Sequence, residues 1–371
     1  MLQLMMATAS VTVAFVLTLA GQWMLTPLAR RFDLFDHPAG RKDHACPTPT
    51  TGGIVMLMGA LLAEIAMRGD SDPSFYGFYL AAIILTVLGV LDDKLDLPWP
   101  LRIAVEVVVA LVVIYVGGIR VHQLGDAFGL NISSLGILSV PFTVCAIVGT
   151  INAINMIDGS DGMAGLLVLS ALVMLEAAAL YAGNDLIQER APILIGAVMG
   201  FLFHNLRLPG QRCSRVFMGN AGSAFLGLAI ACCAFHLTQT PTHPVSPALG
   251  LWLVPVPIMD CLVLMVSRIR KRRSPFAADH DHIHHLMLEG GFGPTRAACV
   301  LALLSSVCGL IAGVTMRAHV PHPVLLVAFV CLCALWYWMT SRRSRAIRFF
   351  QWLRADHAWW PAPISARELD T

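Results

Sequence analysis

Long apolar runs separated by short polar stretches repeat along nearly the whole chain. Measured against about twenty apolar residues per membrane-crossing helix, they predict eleven spans: residues 4–26, 52–67, 76–91, 99–117, 136–157, 163–182, 191–208, 220–238, 247–267, 296–316 and 322–341. The second and third are short. The first run continues to Leu25 with no basic start and no clear cleavage pattern, so it reads as helix one and not as a signal peptide. The expected fold class is all-α: a polytopic helical membrane bundle over residues 1–341, followed by a basic tail over 342–371.

Composition agrees with that pattern. The 371 residues are 57% hydrophobic and 13% charged, with a mean hydropathy of +0.72, which excludes an ordinary soluble enzyme. An odd number of spans puts the termini on opposite sides. Of the 25 Lys and Arg, only Arg68, Arg120, Arg190 and Arg317 fall on one side. Positive-inside asymmetry therefore places the C-terminus in the cytoplasm and the N-terminus outside. The net charge of +2 conceals a basic cytosolic face suited to lipid headgroups, lipid phosphates or nucleotides. No nucleic-acid motif and no internal repeat is visible. Eight of the ten cysteines lie in apolar spans, and Cys46 and Cys213 lie in loops assigned to the cytosol. With no CxxC pair, all ten are expected as reduced thiols.

The polar residues that matter sit at the cytosolic helix ends. Asn152, Asn155, Asp158 and Asp161 recur every three residues after a greasy run, forming a polar stripe if the helix continues. Gly159 and Gly162 let Asp158 and Asp161 turn toward a shared point. Ionisable groups at a membrane helix end are costly unless paired, hydrated or metal-bound, which marks a functional site. Asp92 and Asp93 close helix three, with Asp96 one turn on. Adjacent carboxylates repel, and Mg²⁺ is the cation that would join them. Acids at a helix C-terminus also oppose the helix dipole, so capping explains them poorly.

Arg41, Lys42 and His44 precede a Pro-stiffened turn and Gly52-Gly53 at the start of helix two, where a phosphate could bind; membrane anchoring would account for the two cations alone. Gly219-Asn220-Ala221-Gly222-Ser223 opens helix eight as either a phosphate contact or an ordinary cap. Arg268 through Arg273, then His280, His282, His284 and His285, form a joint anion site or, in other settings, a zinc or nickel site. Glu106 is an isolated membrane acid, read first as a hydrogen-bonding residue between helices.

Taken in order, the Pro-Thr-Pro and Gly-Gly turn, Asp92-Asp93, Asn152 through Asp161, the Gly-x-x-Gly-Ser turn and Ser274-Pro275-Phe276 followed by His282-Ile283-His284-His285 resemble the polyprenyl-phosphate N-acetylhexosamine-1-phosphate transferases, on their WecA-like branch and not the muramyl-pentapeptide one. The resemblance implies Mg²⁺- or Mn²⁺-dependent transfer of a sugar 1-phosphate, GlcNAc first, from a UDP-N-acetylhexosamine to undecaprenyl phosphate, with release of UMP. This would initiate a cell-envelope polysaccharide such as O-antigen, with membrane lipids around the protein and a homodimer as the candidate assembly. It implies catalytic roles for Asp92, Asp93, Asp158, Asp161 and His282, and metal contacts from Asp93, Asp158 and Asn220. Substrate contacts would come from Arg41, Lys42, His44, Asn152, Asn155, Arg268, His284 and His285. At Asn220 the family usually has Asp, so the chain departs by one charge. The rival readings are another UDP-sugar donor, or a membrane transporter or lipid-binding protein; transporter sites usually lie near the bilayer midplane.

Overall fold

The computed structural model describes residues 1–37, 46–68, 72–125, 129, 134–207, 211, 213–239, 245–275 and 280–355. Among the described residues there are fourteen α-helices: α1 (Leu2–Arg31), α2 (Gly52–Met67), α3 (Pro73–Leu95), α4 (Trp99–Tyr115), α5 (Ser139–Ile157), α6 (Met163–Ala182), α7 (Asp185–Asn205), α8 (Gly219–Gln239), α9 (Leu249–Leu253), α10 (Pro255–Arg270), α11 (Ile283–Glu289), α12 (Pro294–Arg317), α13 (His322–Thr340) and α14 (Arg343–Ala355). A two-residue antiparallel ladder pairs β1 (Phe35–Asp36) with β2 (Thr48–Pro49).

Ten of the eleven apolar runs found in the sequence each centre on one helix. Among the described residues, eight helices are long and apolar enough to cross a membrane. Of the other three expected spans, α2 has 16 residues and α4 has 17. The third, residues 247–267, is not one helix. Pro255 has no N–H to offer Leu251, so the chain breaks at Val254, whose φ of −128° and ψ of 53° separate α9 from α10.

The bundle is wrapped around α8. Its sequence is rich in Gly, Ala, Ser and Cys on every face, which lets neighbouring backbones approach from all sides. It packs on α2, α3, α5, α6, α7 and α9, and 89% of its apolar window is buried. Close approach to α3 depends on Gly89, where a Cβ would lie 2.4 Å from the Cα of Ala221. That contact brings the C-terminal end of α3 to the N-terminal end of α8. At the far end of the bundle Arg190 donates to Glu64 and to Asp72, each at 2.9 Å, and to Ser74 at 2.7 Å, so the charges there satisfy one another.

Because successive helices alternate in direction, the β1–β2 ladder and the α3–α4, α5–α6, α7–α8 and α10–α12 connections gather at one end. Cross-links between them fix this end: Lys94 to the Phe32 carbonyl at 2.7 Å, Phe217 N–H to the Pro49 carbonyl at 2.9 Å and Gly53 N–H to the Met218 carbonyl at 3.0 Å. The last two run the segment after residue 46 alongside the segment after residue 213. One consequence corrects the expectation of ten free thiols: Cys46 and Cys213, 167 residues apart in sequence, are joined as a disulfide, while the other eight cysteines are free. Spacing along the chain carried no sign of this, since packing alone makes the two neighbours.

Candidate active site

At the gathered end a cavity of about 440 Å³ opens among the connections, and Asp93, Asp158, Asp161, Asn220 and His285 line it, with Lys94 and Arg207 as cations. Five of the residues singled out in the sequence therefore share one space. Arg41, Lys42 and His44 lie outside the described residues.

The stripe from Asn152 to Asp161 does not continue as one helix. α5 ends at Ile157 and Asp158 is its C-cap, so the four side chains part company. Asn152 donates to Glu106 at 2.5 Å, an interhelical bond between α5 and α4 that matches the reading of Glu106. Asn155 donates to Asn220 Oδ1 at 2.8 Å and to Ser223 at 2.9 Å. Asp158 reaches the cavity. Asp161, buried at the turn, accepts from the Arg207 guanidinium and from Ser214 at 3.0 Å.

Asp92 and Asp93 also divide. Neighbours on a helix point about 100° apart. Asp92 turns inward and is 6% exposed; it accepts from Arg102 at 3.0 Å, from the Leu97 N–H at 3.0 Å and from Asn220 Nδ2 at 2.8 Å. It does not line the cavity. Asp93 does, and it lies at the N-terminus of α8, accepting the Asn220 N–H at 3.2 and 3.3 Å. The anion position offered by that helix end is thus filled by the protein's own carboxylate. Asp96 follows the end of α3 at a left-handed φ of 49°, so it does not extend the face of Asp92.

Asp158 is pushed up to about 7 by its burial, then by the negative charges of Asp93 and Asp161. Carboxylates crowded in this way favour a proton or a cation. Among the described residues no three His, Cys, Asp or Glu side chains are arranged to hold an ion alone. Two carboxylates completed by water and substrate phosphates are a usual Mg²⁺ arrangement, and Asp93 and Asp158 fit it. Asn220 fits it less well, since its Oδ1 accepts from Asn155 and its Nδ2 donates to Asp92.

The histidines split as well. His282 Nδ1 lies 2.8 Å from Asp260, and a carboxylate there makes Nδ1 the donor, leaving Nε2 to accept from Arg268 at 3.4 Å. Asp260 also accepts the Ile283 N–H at 3.1 Å and Trp336 Nε1 at 3.3 Å, and Arg268 donates to the Pro275 carbonyl at 2.7 Å. This network holds the start of α11. His284 is 1% exposed, and neither ring nitrogen has a hydrogen-bond partner among the described residues. Burial, then the neighbouring His285, His282 and His280, hold its pKa well below the usual imidazole range, so the ring is neutral. Its Nε2 sits against Gly159, where a Cβ would come within 2.2 Å; this position accepts only glycine without a shift. Of the predicted histidines, His280 and His285 line the cavity.

Sequence reasoning passed over Asp260, Arg207 and Asn205. Asp260 is an isolated acid within an apolar helix, the same signal that flagged Glu106. Arg207 counted only toward topology. Asn205 donates to the Val216 carbonyl at 2.8 Å and accepts the Gly162 N–H at 2.7 Å, tying both loops that carry Asp161 and its partners.

This is a helical membrane protein with clustered carboxylates, cations and imidazoles at the helix ends, and comparison with known proteins gives it a class. The profile of Glycosyl transferase family 4 matches residues 75–238. The undecaprenyl-phosphate alpha-N-acetylglucosaminyl 1-phosphate transferase of Salmonella typhi is 30% identical over 94% of this chain and 95% of its own. The proteins of that name from Escherichia coli K12 and Yersinia pestis are 30% and 29% identical, each over 91% of this chain and 92% of their own. The chain belongs to the polyprenyl-phosphate N-acetylhexosamine-1-phosphate transferases of Glycosyl transferase family 4.

Proposed function

We propose that the protein transfers N-acetylglucosamine 1-phosphate from UDP-N-acetylglucosamine to undecaprenyl phosphate, initiating a cell-envelope polysaccharide. A lipid-phosphate oxygen attacks the sugar-bearing phosphorus, the bond to the UMP phosphate breaks, and UMP leaves with that electron pair. The observation that carries this reading is the convergence of Asp93, Asp158 and Asp161 with Lys94, Arg207 and His285 on one cavity, in a chain similar along nearly its whole length to transferases of that name. When bound, Mg²⁺ would neutralise phosphate charge between Asp93 and Asp158. Arg207 and Lys94 supply fixed positive charge, and Asp161 holds Arg207 in place.

A second cavity supports a lipid substrate. About 450 Å³ in volume, it lies between α5, α8 and the α9–α10 break, lined by Phe142, Ala153, Ile230, Leu251 and Ile258 among others. An almost wholly apolar lining suits a polyprenyl chain. We place the active end in the cytosol, on the basic-residue asymmetry. A membrane-impermeant thiol reagent applied to intact cells should then label a cysteine placed at position 126 and miss one at 281.

The decisive assay incubates purified protein with Mg²⁺, undecaprenyl phosphate and radiolabelled UDP-N-acetylglucosamine. Labelled lipid and UMP should appear together, and Asp93→Asn and Asp158→Asn should each lower turnover by about a hundredfold or more. Labelled lipid only with another UDP-sugar would change the donor. None with any donor would sink the reading.

A further inference from the structure

We propose that α14 is a docking element for an anionic phospholipid surface, seated along the headgroups of the leaflet at the active end. The segment Ser341–Ala355 holds five arginines and no acid. Only Ser341 and Arg342 separate α14 from Thr340 at the end of α13, an apolar helix long enough to cross a membrane, so α14 begins at the bilayer surface.

The two sides of α14 are used differently. One is committed to the protein: Ala346 and Phe350 are buried, Phe350 packs on Phe292 at 6.1 Å, and Arg343 donates to the His280 carbonyl at 2.9 Å, to Asp281 at 3.0 Å and to Glu289. The other carries Arg342, Arg348, Phe349 and Trp352, all exposed. Phe349 and Trp352 lie ring to ring at 6.2 Å, and Arg345 bridges toward the end of α13 by covering the exposed Trp338 ring at 4.4 Å.

Aromatic rings between arginines are the composition that settles at headgroup depth, rings at the acyl boundary and guanidinium groups on phosphates. A soluble partner protein would have to cover isolated arginines with acids at this depth, whereas anionic lipid is already there and matches the charge.

The test uses the full chain in nanodiscs of brominated phosphatidylcholine, with and without a third of phosphatidylglycerol. Trp352 is read as the fluorescence-quenching difference between the parent and Trp352→Phe, a measurement that involves no turnover and stands apart from the reaction. Quenching of Trp352 should rise in the anionic discs and fall again with added salt. Each arginine near an anionic surface is worth about fivefold in affinity, so Arg342→Gln with Arg348→Gln should lower the docked-to-undocked ratio about 25-fold. Equal quenching in both kinds of disc, or an anionic response unchanged in the double variant, would overturn the proposal.

Discussion

Replacing Asn220 by the carboxylate usual in the family puts a second negative charge where the structure has an amide donor. Asn220 Nδ2 donates to Asp92 at 2.8 Å, and Asn220→Asp turns that bond into a carboxylate pair while keeping the acceptor used by Asn155. A hydrogen bond to an ionised acceptor is worth about 1.5–3 kcal/mol, and two charges about 4 Å apart repel by about 4 kcal/mol at an effective dielectric of 20. Arg102, already bound to Asp92, and solvent offset part of this, leaving an expected cost of about 2–4 kcal/mol without divalent cation. Thermal unfolding in EDTA should show the loss, and millimolar Mg²⁺ should restore most of it if the new carboxylate joins a metal shell. In that case the Mg²⁺ concentration for half-maximal transfer should also fall. A variant as stable as the parent in EDTA would refute the pairing of Asn220 with Asp92. A loss that Mg²⁺ leaves untouched, with unchanged half-saturation, would put position 220 outside the metal shell.

Asp158 gives a pH dependence with a definite sign. Its folded pKa of about 7 lies above the ordinary aspartate value of 3.8, so between those values the unfolded state has lost a proton that the folded state keeps, and stability falls as pH rises. In EDTA the Asp158→Asn variant should gain on the parent from pH 4 to 7 and level off above; a gain in the opposite direction would contradict the crowding of carboxylates. Gly159→Ala places a methyl 2.2 Å from His284 Nε2 and should cost about 1–3 kcal/mol in stability together with turnover; normal activity would mean that His284 is free to move. Alkylation of the denatured, unreduced protein should modify eight thiols and, after reduction, all ten. Ten before reduction would rule out the Cys46–Cys213 bond.

Helix positions were legible because hydropathy and length decide what a bilayer accepts, and α2 and α6 match their expected limits to the residue. The polar motifs at the helix ends were legible because charged side chains are scarce in an apolar chain. Partnership was not. Asp92 and Asp93 looked like one acidic pair, yet a single helical step sends the first to Arg102 and the second to the cavity. The four-residue stripe likewise parted once α5 ended at Ile157: Asn152, Asn155 and Asp161 went to separate partners and Asp158 to the cavity. Asp260, Arg207 and the Cys46–Cys213 bond depend on packing between segments remote in sequence, for which a single chain offers no period or spacing to read.

The carboxylate of Asp93 on the Asn220 N–H at the start of α8 has a bearing on selectivity. Bare helix ends attract any phosphate, and a cell is full of them. Here that attraction is already answered from within, with Asp158 and Asp161 adding to the negative field. An oxyanion arriving alone at that helix end meets repulsion from Asp93, whereas one escorted by its own counter-ion adds to the positive charge of Lys94 and Arg207. The site thereby screens its visitors by net charge before it inspects their shape, and abundant free phosphate becomes a poor competitor.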